Sequence, residues 1–194
     1  YKRAYDGDKG PNTGGMGSYS PPPFWTPDLE EEIRETIMLP TIKALAQEGS
    51  PFLGILYGGI MLTESGPKVL EFNCRFGDPE TQVILPQMSS DLLAAMQSVV
   101  NGTLNKTQIA WSNKPHVGVV MSSGGYPNEY KLGTPISGLE NQNMRSLLFH
   151  GGTKLDSLSN SVVNNGGRVL TVVSSGETIK QARIQAYQDI KQIH

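Results

Sequence analysis

Lys68-Val69-Leu70-Glu71-Phe72-Asn73-Cys74-Arg75-Phe76-Gly77-Asp78-Pro79-Glu80-Thr81 is the densest chemical stretch of this 194-residue chain. Apolar and polar residues alternate through its first half, which reads as a strand over Lys68–Cys74. Alternate side chains of a strand share a face. Val69, Glu71 and Asn73 therefore point together, and Leu70, Phe72 and Cys74 point the other way, into an expected core. Glu71 and Asn73 then offer two oxygen ligands about 6.5 Å apart along the strand. A carboxylate and an amide carbonyl suit a hard cation such as Mg²⁺. Arg75 would share that face if the strand ran on, and a guanidinium there could clamp a phosphate. Asp78 and Glu80 enter from a turn, and Thr81 with the first amides of the next helix could take an anion. Spacing alone equally admits a solvated strand with Arg75 in a surface salt bridge.

Upstream, residues 1–23 show no clear period, and Pro21-Pro22-Pro23 closes them. They read as one long turn-rich loop containing Gly10-Pro11-Asn12-Thr13-Gly14-Gly15-Met16-Gly17. This is not a Walker loop, since no Gly-Lys-Ser or Gly-Lys-Thr ends it, and no strand–helix context makes it a dinucleotide fingerprint. Its exposed N–H groups, one amide and one hydroxyl could form a nest for a phosphate or carboxylate, while Asp6 and Asp8 would suit an amine. An ordinary surface turn has the same features.

Between these segments, Thr26-Pro27-Asp28-Leu29-Glu30 starts a helix. Its apolar stripe runs to about Glu48, Pro40 should bend or split it, and Gly49 ends it. Residues 54–63 form a hairpin with 68–74. Ser89-Ser90-Asp91 caps a helix that Asn101-Gly102 stops. A boundary near 105 separates a region 1–105 from a region 106–194. The second region has strands at His116–Met121, Leu147–His150 and Arg168–Val173 and an amphipathic helix at Glu177–Ile190. The fold class is α+β.

Sixteen basic and eighteen acidic residues give a net charge of -2, which calls for neither nucleic acid nor an anionic membrane. No apolar run approaches the ~18 residues of a membrane span. The one cysteine, Cys74, has no partner within the chain, so a reducing, cytoplasmic setting is expected. Three histidines and one cysteine make no zinc site. His116 reads as structural, and His150 as shaping a contact more than as an acid or base. Gly166-Gly167-Arg168 admits either a phosphate site or a tight turn entering a strand. The chain opens on Tyr1 and reads as a piece of a longer one.

Taken together, the run from Tyr1 to Gly17 and the run Glu71–Thr81 resemble the signatures of the glycinamide ribonucleotide synthetases of the ATP-grasp superfamily. Gly124-Gly125-Tyr126-Pro127, Phe149-His150-Gly151-Gly152-Thr153 and Asn165-Gly166-Gly167-Arg168-Val169 resemble their carboxy-terminal domain. The resemblance implies the carboxy-terminal half of an ATP-grasp domain, followed by a small α+β domain. It implies an ATP-dependent ligase that activates glycine as an acyl phosphate, which the amine of 5-phosphoribosylamine attacks in purine synthesis. Glu71 and Asn73 match the family's Mg²⁺ or Mn²⁺ ligands, with Gly58 or Gly59 near where relatives carry an acidic residue. Arg75 matches its phosphate-handling arginine. Asp6, Asp8, Asn12, Thr13, Gly14, Gly15, Asp78, Glu80 and Thr81 fall in the substrate region, with Arg75 and Asp78 as the catalytic candidates. The amino-terminal and lid domains of such an enzyme would be partners supplied from elsewhere in the same protein. The competing expectation is a piece that binds nucleotide or substrate weakly without catalysing.

Overall fold

A computed structural model describes residues 2–141 and 143–194; Tyr1, which opens the amino-terminal run, lies outside them. The strands are β1 (Arg3–Tyr5), β2 (Lys9–Asn12), β3 (Gly17–Ser20), β4 (Tyr57–Thr63), β5 (Gly66–Asn73), β6 (His116–Ser122), β7 (Leu147–His150), β8 (Thr153–Asp156), β9 (Ser161–Asn164) and β10 (Arg168–Ser175). The α-helices are α1 (Pro27–Ile33), α2 (Leu39–Gln47), α3 (Thr81–Ile84), α4 (Leu92–Val100) and α5 (Ile179–Ile190). The chain forms two compact units. The first gathers the segment up to Ser20, Asp78–Gln87 and Ser112–His194; the second is Pro21–Gly77 with Met88–Trp111. The units interleave along the chain, whereas the sequence division at 105 is one cut.

In the first unit an antiparallel sheet runs in the order β3-β6-β10-β7. Strand β10 is buried from Val169 to Ser174, so both its faces are covered. Val169, Leu170, Val172 and Ile193 form a core packed by Met121, Ile136, Leu148 and Ile190. On β6, a Cβ at Gly118 would stand 3.1 Å from Val83 of α3 and 3.4 Å from both Thr171 and Val173. The missing side chain lets α3 settle on the sheet, which seats the turn Asp78–Glu80 just before it. Gln87 ties that segment to β3: its amide donates to the Ser20 carbonyl at 2.6 Å, and the Ser20 hydroxyl donates back at 3.1 Å.

Helix α5 starts where Thr178 accepts from the Gln181 amide at 3.2 Å. Its buried Asp189 accepts from the Arg145 and Ser146 amides (3.2 and 2.9 Å), the Ser146 hydroxyl (2.6 Å) and the Gln185 side chain (3.2 Å). Burial pushes this carboxyl up, but the hydrogen bonds from Ser146, Gln185 and Arg145 outweigh it and hold the pKa below the usual 3.8.

In the second unit, Thr26 caps α1 by accepting from Leu29 N–H at 3.2 Å, as its sequence predicts. The helical run is divided just ahead of Pro40 but not stopped by it. A π turn at Arg34–Met38 joins α1 to α2 and places Pro40 in the first turn of α2, where its lack of an N–H is tolerated. The run ends at Gly49 (φ 79°) with Gly49 N–H on Ala46 O and Ser50 N–H on Leu45 O, a Schellman closure. Asp91 caps α4 through the Ala94 amide, and Gly102 and Thr103 close it in the same way as Gly49 and Ser50 close α2.

The structure corrects two expectations here. Residues 1–23 are not one irregular loop but carry β1, β2 and β3. Lys9-Gly10-Pro11-Asn12 and Gly17-Ser18-Tyr19-Ser20 have no apolar alternation, and β3 is a strand because β6 pairs with it, Gly17 opposite Val119 and Ser20 opposite His116. The chain also forms the hairpin β8–β9, which its sequence did not lead one to expect. Leu70, Phe72 and Cys74 do not enter a core: Leu70 is 61% exposed, Phe72 38%, and Cys74 is exposed. The β4–β5 sheet has only two strands, and the helical run reaches one end of it, where Met38 and Phe72 flank Gly58.

Candidate active site

Strands β4 and β5 pair from Tyr57–Asn73 through Gly58–Phe72 to Gly59–Glu71 without interruption, and a bulge follows at Gly59/Ile60. The regular pairing puts Glu71 and Asn73 on one side of β5. Gly59 lies directly across from Glu71, and a Cβ there would approach the Glu71 side chain to 3.1 Å. The absent side chain leaves the carboxylate room on that side. Arg75 bends back to the same side, its Nη2 donating to Asn73 Oδ1 at 3.3 Å and its Nη1 to the Phe76 carbonyl at 2.8 Å. The donor set fits a hard divalent cation in type, one carboxylate and one amide oxygen, and is too small to hold it alone. Among the described residues no group of three or more His, Cys, Asp or Glu side chains forms a metal cluster.

The first unit holds a different junction. The Asp78–Pro79 peptide is cis, and Pro79 is fully buried. Arg168, at the start of β10, donates through Nη2 to Asp78 Oδ2 at 2.9 Å and through Nη1 to Asp78 Oδ1 at 3.2 Å. Nη1 also meets the carbonyls of Asp78 (3.1 Å), Gly14 (3.0 Å) and Gly15 (3.5 Å). Asp78 Oδ1 accepts from Gln82 as well, at 3.1 Å. Gly15, with φ 114°, packs so closely on Pro79 that a Cβ would lie 2.6 Å from its ring. Tyr126 reaches the same loop, its hydroxyl accepting from Gly14 N–H at 3.1 Å.

Gly14, Gly15 and Asp78 thus come together through one guanidinium, and Thr13 stands beside them, its hydroxyl accepting from Gly15 N–H. Three amides of the loop already have acceptors within the protein. Thr13 N–H donates to Lys2 O, Gly14 N–H to Tyr126 and Gly15 N–H to the Thr13 hydroxyl. Asn12 ends β2 beside them. Asp6 and Asp8 sit on the exposed turn at the other end of the β1–β2 hairpin, about 10 Å of strand away. Glu80 and Thr81 start α3, with the Glu80 carbonyl accepting from Val83 and Ile84.

His116 is buried with Nδ1 on the Lys114 carbonyl at 2.9 Å, a structural placement; His150 pairs with the Thr153 hydroxyl at 3.0 Å. Sequence reasoning left Arg168 open and did not single out Tyr126. The Gly166-Gly167 pair before Arg168 was the available signal. Gly167 is bare because the Tyr126 ring lies against it: a Cβ there would stand 2.2 Å from the ring. The loop that carries Tyr126 also lines a cavity of about 660 Å³ with Ser123, Gly124, Lys131, Ile136 and Asn164. Asn164 there is fully engaged, donating to Ser123 Oγ and Lys131 O and accepting from Thr134 N–H.

Sequence models of phosphoribosylglycinamide synthetase match twice: its ATP-grasp (A) domain over residues 1–81 and its C domain over 116–194. The chain belongs to the phosphoribosylglycinamide synthetase family. The "Phosphoribosylamine--glycine ligase" of Yersinia pestis is 48% identical over 190 residues, 97% of this chain and 44% of that protein. The "Trifunctional purine biosynthetic protein adenosine-3" of Gallus gallus is 50% identical over 196 residues, all of this chain and 19% of that protein. Among solved structures, the phosphoribosylamine–glycine ligase of Thermotoga maritima superposes with a TM-score of 0.86 at 35% identity, covering all of this chain and 47% of that one. The mixed helix and strand architecture is thus that of a synthetase of the ATP-grasp class. The chain spans less than half the length of these relatives. Among the described residues no helix is long and apolar enough to cross a membrane.

Proposed function

We propose that this chain is part of an ATP-dependent carbon–nitrogen ligase that joins glycine to 5-phosphoribosylamine. The products are glycinamide ribonucleotide, ADP and phosphate, made through a glycyl phosphate in a cytoplasmic purine pathway. Identity of 48% across 97% of the chain to a relative named for this reaction is the observation that carries the reading. The matched spans 1–81 and 116–194 support a catalytic portion within 1–105 and a small domain within 106–194, although the segment up to Ser20 and Asp78–Gln87 belong to the same compact unit as the latter. Amino-terminal and lid portions of the longer protein complete the nucleotide site.

Glu71 and Asn73 would hold Mg²⁺ or Mn²⁺, whose charge would steady the ATP phosphates when bound. With Asn73 neutral, those phosphates contribute more of the balancing charge. Arg75 places a guanidinium beside Asn73, where it would meet the phosphate being transferred. Asn12, Thr13, Gly14, Gly15, Asp78, Glu80 and Thr81 shape the substrate side, and Asp6 and Asp8, at the far end of the β1–β2 hairpin, are left out of it. A neutral phosphoribosylamine needs no strong base to attack an acyl phosphate, so no residue is assigned that role. In the full-length protein, Glu71→Gln should lower turnover by about 100-fold or more. It should also raise the Mg²⁺ concentration needed for half-maximal rate, with the melting temperature little changed. Unchanged turnover and metal requirement would refute the assignment.

A further inference from the structure

We infer that Arg168 is a positioning residue of the substrate side, acting through Asp78 and the glycine-rich loop and not by touching substrate; this rests on the ligase reading. Three chain segments remote in sequence meet at its guanidinium: the loop at Gly14 and Gly15, the turn at Asp78, and the start of β10. Its Nη1 and Nη2 donate to both Asp78 carboxylate oxygens and to three backbone carbonyls, so the fork faces the protein. Its side chain is 26% exposed, against 50% for Asp78. The carboxylate therefore meets solvent while the guanidinium stands behind it.

The strand beneath is fixed by its own contacts. Ser123 N–H donates to the Gly167 carbonyl at 2.8 Å and Ser123 Oγ to the Gly166 carbonyl at 2.8 Å. Gly167 accepts the Tyr126 ring against its bare Cα, and that ring's hydroxyl holds Gly14 N–H. On the other side Ser18 Oγ donates to the Pro79 carbonyl at 3.0 Å. Arg168 thus sets the distance between Asp78 and the Gly14–Gly15 backbone from a rigid strand end. A lysine has one compact ammonium and no planar fork, so it can neutralise Asp78 or meet the loop carbonyls but not hold both in register. A misplacement of about 1 Å in a substrate-positioning element can cost about 100-fold in rate.

The test uses the full-length protein with ATP, glycine and 5-phosphoribosylamine each varied in turn. Arg168→Lys should lower kcat/KM for phosphoribosylamine by about 100-fold, chiefly through KM, with KM for ATP unchanged. Millimolar guanidinium should restore part of that loss in Arg168→Ala and none in Arg168→Lys; where the alanine variant does not fold, the lysine variant carries the test. A wild-type protein that releases no ADP in response to both glycine and the amine would remove the ligase reading itself. A fully active wild type beside an indistinguishable Arg168→Lys would overturn the positioning role alone. So would a variant whose kcat/KM falls by the same factor whichever of the three substrates is varied.

Discussion

Replacing Asp189 by Asn removes one charge with almost no change of volume. Keeping the amide oxygen toward Ser146 turns an N–H donor toward Gln185 and Gln192, whose side-chain amides can flip to accept it. Asp189 Oδ2 takes the Ser146 hydroxyl at 2.6 Å and the Ser146 amide at 2.9 Å. Hydrogen bonds to a charged acceptor contribute about 1 kcal/mol more than neutral ones. Two short bonds that keep an acceptor but lose its charge therefore cost about 2 kcal/mol. For a chain of this length that lowers the melting temperature by roughly 4–8 °C. The folded pKa of Asp189 lies below its ordinary 3.8. Its contribution is then complete above the unfolded value and disappears as pH falls through the depressed folded value. Urea unfolding of wild type and Asp189→Asn should show the full gap at about pH 7 and about pH 5, and a shrinking one below about pH 4. Amide exchange at Arg145 and Ser146 should quicken in the variant at neutral pH. A gap that stays constant into acid would refute the electrostatic account, and no gap at neutral pH would refute any contribution of the charged acceptor to stability.

Asp91→Ala removes the side-chain acceptor of the Ala94 amide and should cost about 1 kcal/mol, read as a melting shift of about 2–4 °C. Gly15→Ala places a Cβ 2.6 Å from Pro79 at φ 114°. It should destabilise by roughly 1–3 kcal/mol and raise KM for phosphoribosylamine in the full-length protein.

Features set by local chemistry were legible in the sequence. Thr26, Asp91, Gly49 and Gly102 each act within five residues, and each does what its type predicts. The β4–β5 hairpin follows from an apolar run and the turn after it, and the shared side of Glu71 and Asn73 from alternation. Features set by distant partners were hidden. Strand β3 has no pattern of its own and exists because β6 lies beside it. The exposure of Leu70 reflects how many strands accompany β5, which an apolar residue type does not reveal. Arg168 could have been a phosphate ligand or a turn residue until Asp78, ninety positions earlier, closed on it.

The glycine-rich loop shows why residue type and function part company here. A cluster of glycines beside charged residues has two physical uses: to bare N–H groups for an anion, or to let bulky neighbours come close. Distances distinguish them. A Cβ on Gly14 would stand 3.0 Å from the Arg168 guanidinium carbon, one on Gly15 2.6 Å from Pro79, and one on Gly17 2.6 Å from the Gly118 carbonyl oxygen. Three glycines in four positions each admit a different neighbour, while the amides of Thr13, Gly14 and Gly15 already have acceptors within the protein. Close approach is therefore the use made of them. An anion arriving at this side would have to be met by side chains, and the carboxylate of Asp78 would oppose it were the Arg168 guanidinium not directly behind. The pair turns a negative turn into a nearly neutral edge of the first unit.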